Sequence, residues 1–197
     1  MSPHIIILAA GASTRLGQPK QLVKLGGRPA LHIVISNAVA VAGPDVTVVL
    51  GAHASDMTYL LSRTATSYVV NREWEEGMAS SIRAGLAALP PASKAALILL
   101  GDQVGVTPDD LKRLIDAWKA NENGIAASVY DRHVGVPAIF PYFCFSELTQ
   151  LRGDHGARAV LERHRDRVVR VPMPNASIDL DTPEQLADLT NHYKAES

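Results

Sequence analysis

The stretch Leu8-Ala-Ala-Gly-Ala-Ser-Thr-Arg-Leu-Gly-Gln-Pro-Lys20 begins inside an apolar run, residues 5–10, and its reading decides the fold. The run is continuous and largely β-branched, the pattern of a strand buried on both faces. The loop after this run is small and basic. Gly11 and Gly17 permit positive φ, and small side chains let the backbone approach a ligand closely. Successive N–H groups in such a turn form an anion-binding concavity, and Arg15 and Lys20 add two positive charges to it. The glycine spacing matches neither G-x-G-x-x-G nor G-x-x-x-x-G-K-[ST]. A dinucleotide-binding oxidoreductase and a P-loop NTPase are both disfavoured.

Outward from this loop the chain alternates strand-like and helix-like segments. Strands are expected at residues 45–50, 67–70 and 95–100. Helices are expected at 29–41 with Pro29 in the first turn, at 53–61 and at 78–89. A further helix begins behind the N-cap Thr107, with Pro108 at its first position, and runs to about Ala120. Beyond Asn123-Gly124 the rhythm changes. Residues 125–130 and 136–140 read as two strands joined by a polar connection at 131–135, so a hairpin or mixed pairing is expected. A helix at 157–164, a short strand at 168–171 and a closing helix at 182–193 complete the pattern. The expectation is one α/β domain over residues 1–197, three-layered, Rossmann-like, with a mostly parallel but mixed central sheet. Its ligand belongs beyond the carboxyl ends of the strands.

With 197 residues the chain can bury a core, and 47% apolar against 20% charged residues is an ordinary globular balance. A net charge of −1 excludes nucleic-acid binding through bulk positive charge, so an anionic ligand needs a local cluster. The single cysteine, Cys144, excludes an intramolecular disulfide and a Cys-rich zinc site, and fits a reducing cytosol. Its Phe-Cys-Phe setting reads as a buried small hydrophobe. No stretch approaches the roughly 20 apolar residues of a membrane span. Residues 5–10 lack the basic flank of a secretory leader, and a cytoplasmic protein is expected. The histidines show no metal-ligand spacing.

The string LAAGASTRLGQPKQL resembles the signature loop of the molybdenum-cofactor nucleotidyltransferases, and more narrowly their cytidylyltransferase branch, the CTP:molybdopterin cytidylyltransferases and relatives. Four further stretches are similar to that family, in the same order. They are Asn71-Arg-Glu-Trp-Glu-Glu-Gly-Met-Ala-Ser-Ser-Ile-Arg83, Gly101-Asp102-Gln103, Gly153-Asp-His-Gly-Ala-Arg158 and Asp179-Leu-Asp-Thr-Pro-Glu184. The resemblance implies a Mg²⁺-dependent (or Mn²⁺-dependent) transfer. A phosphate on the acceptor attacks the α-phosphorus of the NTP, and pyrophosphate leaves. Such an enzyme mainly positions two anions and neutralises their charge.

On that resemblance Arg15, Lys20 and Asp102 are the catalytic candidates. Nucleotide contacts are expected from Leu8, Ala9, Ala10, Gly11, Ser13, Arg15, Lys20, Asn71, Gly77, Met78, Ser80, Ser81 and Asp102. Either Ser80 or Ser81 should lie near the base or ribose, and Trp74 is read as packing. The metal contacts implied are Asp102 with Asp179 or Asp181. Period two along an extended segment puts those last two on one face and does not choose between them. Gly153, Asp154, Gly156 and Arg158 are the acceptor-side candidates. The Ala9-Ala10-Gly11 start points to CTP, because the guanylyl branch typically carries a Gly-Gly pair there. The implied partners are an NTP, a molybdopterin-type cofactor and a molybdenum hydroxylase receiving the product. Two alternatives stay open: a phosphorylated sugar or other small phosphate as acceptor, and a non-catalytic accessory protein for hydroxylase maturation. The sequence departs from the pattern at Val104, where the family has proline, and at Val136, where many cytidylyltransferases carry histidine.

Overall fold

Ile5, Ile6 and Ile7 are fully buried, and the strand that holds them lies near the middle of the sheet. In the computed structural model, residues 2–14, 16–62, 64, 66–178, 180, 185–187 and 189 are described. Nine strands occur among them: β1 (His4–Ala9), β2 (Lys24–Leu25), β3 (Arg28–Pro29), β4 (Val46–Leu50), β5 (Ser67–Val70), β6 (Ala95–Leu100), β7 (Ile125–Tyr130), β8 (His133–Pro141) and β9 (Val168–Pro172). Seven of these form one sheet in the order β5-β4-β1-β6-β8-β7-β9, and β2 pairs with β3 in a separate short ribbon. β8 pairs antiparallel with both β6 and β7, while the other pairs in the sheet are parallel. The sheet is therefore mostly parallel and mixed, as the alternation of segments predicts.

The alternation of side chains along β1 divides the core in two. Ile5, Ile7 and Ala9 pack with α1 (Ala30–Ala42), α2 (Ala54–Leu61) and α4 (Pro108–Lys119). Ile6, Leu8 and Ala10 pack with α3 (Met78–Ala87), α5 (Phe145–Gln150) and α6 (Arg158–Arg163). A strand covered on both faces has no use for polar residues, which is why β1 reads as a continuous apolar run. α3 lies unusually close to β1, because a Cβ at Gly85 would stand 2.5 Å from Ile6 Cγ2. Glycine here lets the last turns of α3 lie against Ile6 and Val49. α4 begins as expected: Thr107 and Asp110 form a reciprocal capping box, with Pro108 at the first position.

Three stretches differ from expectation. Pro29 ends the short β2–β3 ribbon, which shows no strand pattern in the sequence, and α1 begins after it, at Ala30. The connection between β7 and β8 is not residues 131–135 but the pair Asp131-Arg132, both at positive φ (47° and 64°), with Tyr130 paired to His133. Such a two-residue turn normally advertises itself with Asn-Gly or Asp-Gly, and Asp-Arg does not. The register then shifts between Ala127 and Ser128, from Ala138 to Gly135 on the partner, so Val136 and Pro137 bulge out of the ladder. The helix α5 has no counterpart in the expected pattern, since its six residues are too few to show a helical period. The helix expected over 182–193 lies largely outside the described residues. Among the described residues no helix is long and apolar enough to cross a membrane.

Candidate functional site

The strand order reverses at β1, since β4 lies on one side of it and β6 on the other. A cleft of about 350 Å³ opens beyond the carboxyl ends of these strands, where parallel sheets leave room for ligands. Its lining includes Leu8, Ala9, Ala10, Gly11 and Ala12 after β1, Lys20 and Gln21, and Leu100, Gly101 and Asp102 at the end of β6. Trp74, Glu75, Gly77, Met78 and Ser81 close it from the start of α3, and Asp154 reaches it from the later half of the chain.

The loop after β1 is held from within. Gln21, almost wholly buried, donates to the carbonyls of Ala9 (3.3 Å) and Gly11 (3.2 Å), while the Ala52 N–H takes that of Ala10 (3.0 Å). Carbonyl oxygens repel an anion, and here three in succession are engaged inside the fold. Ser13, at φ 56°, accepts the Lys20 N–H at 3.1 Å and donates to Gln21 Oε1 at 3.3 Å. The loop is thus folded back on itself, and Lys20 begins a 3₁₀ turn, Lys20–Leu22, beneath the cleft. Its ammonium forms an ion pair with Asp102, whose carboxyl is 92% buried. Gln103 braces the neighbouring turn: its amide donates to Val136 O (2.9 Å) and Ala176 O (3.0 Å) and accepts from Leu100 N–H. Val104 donates its N–H to Asp102 O at 2.8 Å, a bond proline could not make.

The start of α3 is stitched to the Gly153-Asp154 stretch. Glu76 accepts from the Gly153 N–H (3.2 Å) and from Arg83, which also donates to Leu151 O (2.9 Å). The hydrogen bonds from Arg83, then the one from Gly153, lower the Glu76 pKa to about 2. Gly77 sits at φ 116°, and a Cβ there would stand 2.3 Å from Asp154 Oδ1 and 2.7 Å from the Gly153 carbonyl. Only glycine fits both the backbone and the space.

The structure separates residues that the sequence left together. Ser81 lines the cleft; Ser80 is turned inward, donating to Gly77 O and accepting from Asn71. Asn71 therefore braces the start of α3, donating also to Ser81 Oγ at 3.2 Å. Of the stretch expected on the acceptor side, Asp154 lines the first cleft and Gly153 lies behind Gly77. Gly156 and Arg158 belong instead to an adjoining apolar cleft of about 210 Å³, which shares Leu8, Met78 and Leu100 with the first. Val136, the position that departs from the family pattern, lines that second cleft and not the first. Arg15, Asp179 and Asp181 lie outside the described residues. Gln21 and Gln103 fall inside the family-like stretches, but nothing in the sequence gives them a role, because neither is charged and each acts through backbone carbonyls elsewhere along the chain. Cys144 is fully buried, and burial pushes its thiol up to about 12, which removes it from nucleophilic chemistry.

Residues 5–168 match the MobA-like NTP transferase domain. The nicotine blue oxidoreductase of Paenarthrobacter nicotinovorans is 30% identical over 190 residues, covering 92% of this chain and 93% of that protein. The bifunctional protein GlmU of Sorangium cellulosum is 31% identical over 116 residues; the match covers 55% of this chain but only 24% of GlmU. Among solved structures, Rv0371c of Mycobacterium tuberculosis superposes with a TM-score of 0.79 at 31% identity, covering 97% of this chain and 99% of that one. It has also been crystallised in complex with manganese.

Proposed function

The chain belongs to the MobA-like NTP transferase family and is a nucleotidyltransferase, and on that premise we propose that it transfers a cytidylyl group from CTP to the phosphate of a molybdopterin-type cofactor in the cytoplasm, with a divalent metal. The single observation that carries the transfer chemistry is the Lys20–Asp102 ion pair at the floor of a cleft walled by an occupied-carbonyl loop. One phosphate oxygen of the acceptor bonds to the α-phosphorus as the α–β bridging P–O bond breaks, and the electron pair leaves with pyrophosphate. No proton need be removed from an ionised phosphate, so the protein's contribution is charge and position.

Among the described residues no group of three or more His, Cys, Asp or Glu side chains could hold a metal unaided. Mg²⁺ and Mn²⁺ bound with a nucleotide use one or two carboxylates, the rest of the shell being phosphate oxygens and water. Asp102 fits that demand, with Asp179 or Asp181 as the second contact. The bound ion would neutralise charge on the triphosphate. Lys20 holds the Asp102 carboxylate in place and stands beside the phosphates, and Arg15 joins it on the leaving pyrophosphate. Leu8, Ala9, Ala10, Gly11 and Ser13 shape the triphosphate loop, and Ser81 meets the sugar or base.

The test is pyrophosphate release with Mg²⁺, molybdopterin and each of the four NTPs in turn. CTP alone should support turnover; no product with any NTP overturns the reading. A second reading has one observation behind it, the near full-length likeness to a protein named an oxidoreductase. It predicts oxidation of NAD(P)H by an acceptor in the absence of NTP, which the same protein sample can be assayed for.

A further inference from the structure

Beyond the apolar cleft lies a third cavity, of about 380 Å³, bordered by Arg132, His133, Arg158, Arg165 and Arg170. Four arginines border it against one carboxylate residue, Glu162, in a chain whose net charge is −1. Arg158 gives its Nε to Glu162 at 3.0 Å, and Arg165 reaches only its neighbour Asp166, at 3.9 Å. Arg132 and Arg170 have no acidic partner among the described residues. Like charges gathered without counter-charge repel one another, and an anionic guest relieves that repulsion.

The cavity is also continuous with the site already described. Arg158, His133 and Val134 border both it and the apolar cleft, and the apolar cleft shares Leu8, Met78 and Leu100 with the nucleotide cleft. The three run on from one another as one trench, from the ends of β1 and β6 over the start of β8 to the face of β9 at Val168 and Arg170. Three strand spacings, about 14 Å across the sheet, separate β9 from β6, and Arg170 stands level with Ile98, so its long side chain has to reach towards the strand ends to meet a ligand there. The walls between are apolar: Met78, Leu100, Val134, Val136.

We propose that the arginine basin is a second anion subsite, so that the acceptor is a two-ended anion. One end is the phosphate that attacks the nucleotide, the middle is apolar, and the far end is a phosphate or other multiply charged oxyanion held by guanidinium forks. This rests on the nucleotidyltransferase reading of the first cleft and adds a size and charge requirement to it. An acidic protein surface is the competing occupant, and a cavity that opens into the substrate trench favours the small molecule.

The experiment uses the full chain with Mg²⁺ and a non-hydrolysable CTP analogue, whose binding is measured first by calorimetry. Octyl monophosphate and octanediol bisphosphate are then titrated into that complex. The diol places two phosphates about as far apart as β6 and β9. The bisphosphate should bind about tenfold or more tightly than the monophosphate, since charge-assisted hydrogen bonds are lost with the second group. That advantage should vanish in Arg132→Gln/Arg170→Gln, both exposed positions, with analogue binding unchanged. Equal binding of the two alkyl phosphates, or an advantage that survives the double substitution, overturns the proposal and leaves the basin to an acidic macromolecule. Loss of analogue binding in the unsubstituted protein is a different failure, that of the nucleotide reading.

Discussion

The two ends of the trench are built from different materials. At the end proposed for the nucleotide the walls are backbone and small side chains, and the polar groups that shape them are buried and mutually bonded: Gln21 to Ala9 and Gly11, Asn71 to Ser80, Gln103 to Val136 and Ala176. At the far end the lining is long, exposed arginine side chains on a hairpin tip, a 3₁₀ turn and an outer strand. A cleft made of braced backbone cannot change one member without disturbing the others. A basin of solvated guanidinium groups can lose one at little cost to the fold. The first kind of surface suits a ligand part that never varies, such as a triphosphate; the second suits the part by which acceptors differ.

The sharpest break of this contrast is Asp102→Ala. Pyrophosphate release should fall at least 10²–10³-fold, the scale of losing a principal electrostatic group, with the circular dichroism spectrum retained. Near-normal turnover would remove Asp102 from the site. Gln103→Ala comes next, leaving two buried carbonyls and the Leu100 N–H without their partner. It should cost roughly 2–4 kcal/mol in denaturant unfolding. A cost under half of that would mean water replaces the amide.

Gly77→Ala should destabilise by roughly 1–3 kcal/mol through its positive φ, and should raise KM for the nucleotide because Asp154 must move. An unchanged KM would detach the Gly153-Asp154 stretch from nucleotide binding. Glu76 supplies a pH test. Its pKa is lowered in the fold, so its contribution is complete above the ordinary carboxylate value of 4.5 and is lost as pH falls towards 2. Glu76→Gln should therefore lower Tm at neutral pH and flatten the fall in Tm within that window, so that the two proteins converge as pH approaches 2. An equal slope in both proteins would place the acid sensitivity elsewhere. The smallest effect belongs to Arg158→Ala. Its exposed pair with Glu162 contributes at most about 1 kcal/mol, and only the KM for the acceptor should rise. A matching rise for the nucleotide would erase the distinction between the two ends.

The same contrast explains what is legible without the fold. The nucleotide end is legible because its residues are neighbours in sequence: residues 8–13, 77–81 and 101–103 each fall at a strand end or helix start. The basin is not, because Arg132, Arg158 and Arg170 meet only through the β7–β8 hairpin, α6 and the β7–β9 pairing. Arg158 stands out on resemblance alone, and nothing in the spacing says that it faces away from the nucleotide cleft. Asn71 and Ser80 stand as ligand contacts in the sequence, yet the structure turns their polar atoms on one another.

By itself the sequence determined the alternation of strands and helices, the doubly buried β1 and the small, basic loop after it, since these depend on local periodicity and residue size. Only the tertiary structure decided which serine faces the cleft, where the hairpin turns, and that Val136 borders the second cleft. Those outcomes depend on register and on hydrogen bonds between residues tens of positions apart, such as Gln103 with Val136 and Ala176. The bulge at Val136 and Pro137 is set by pairing between strands, and no local pattern records it.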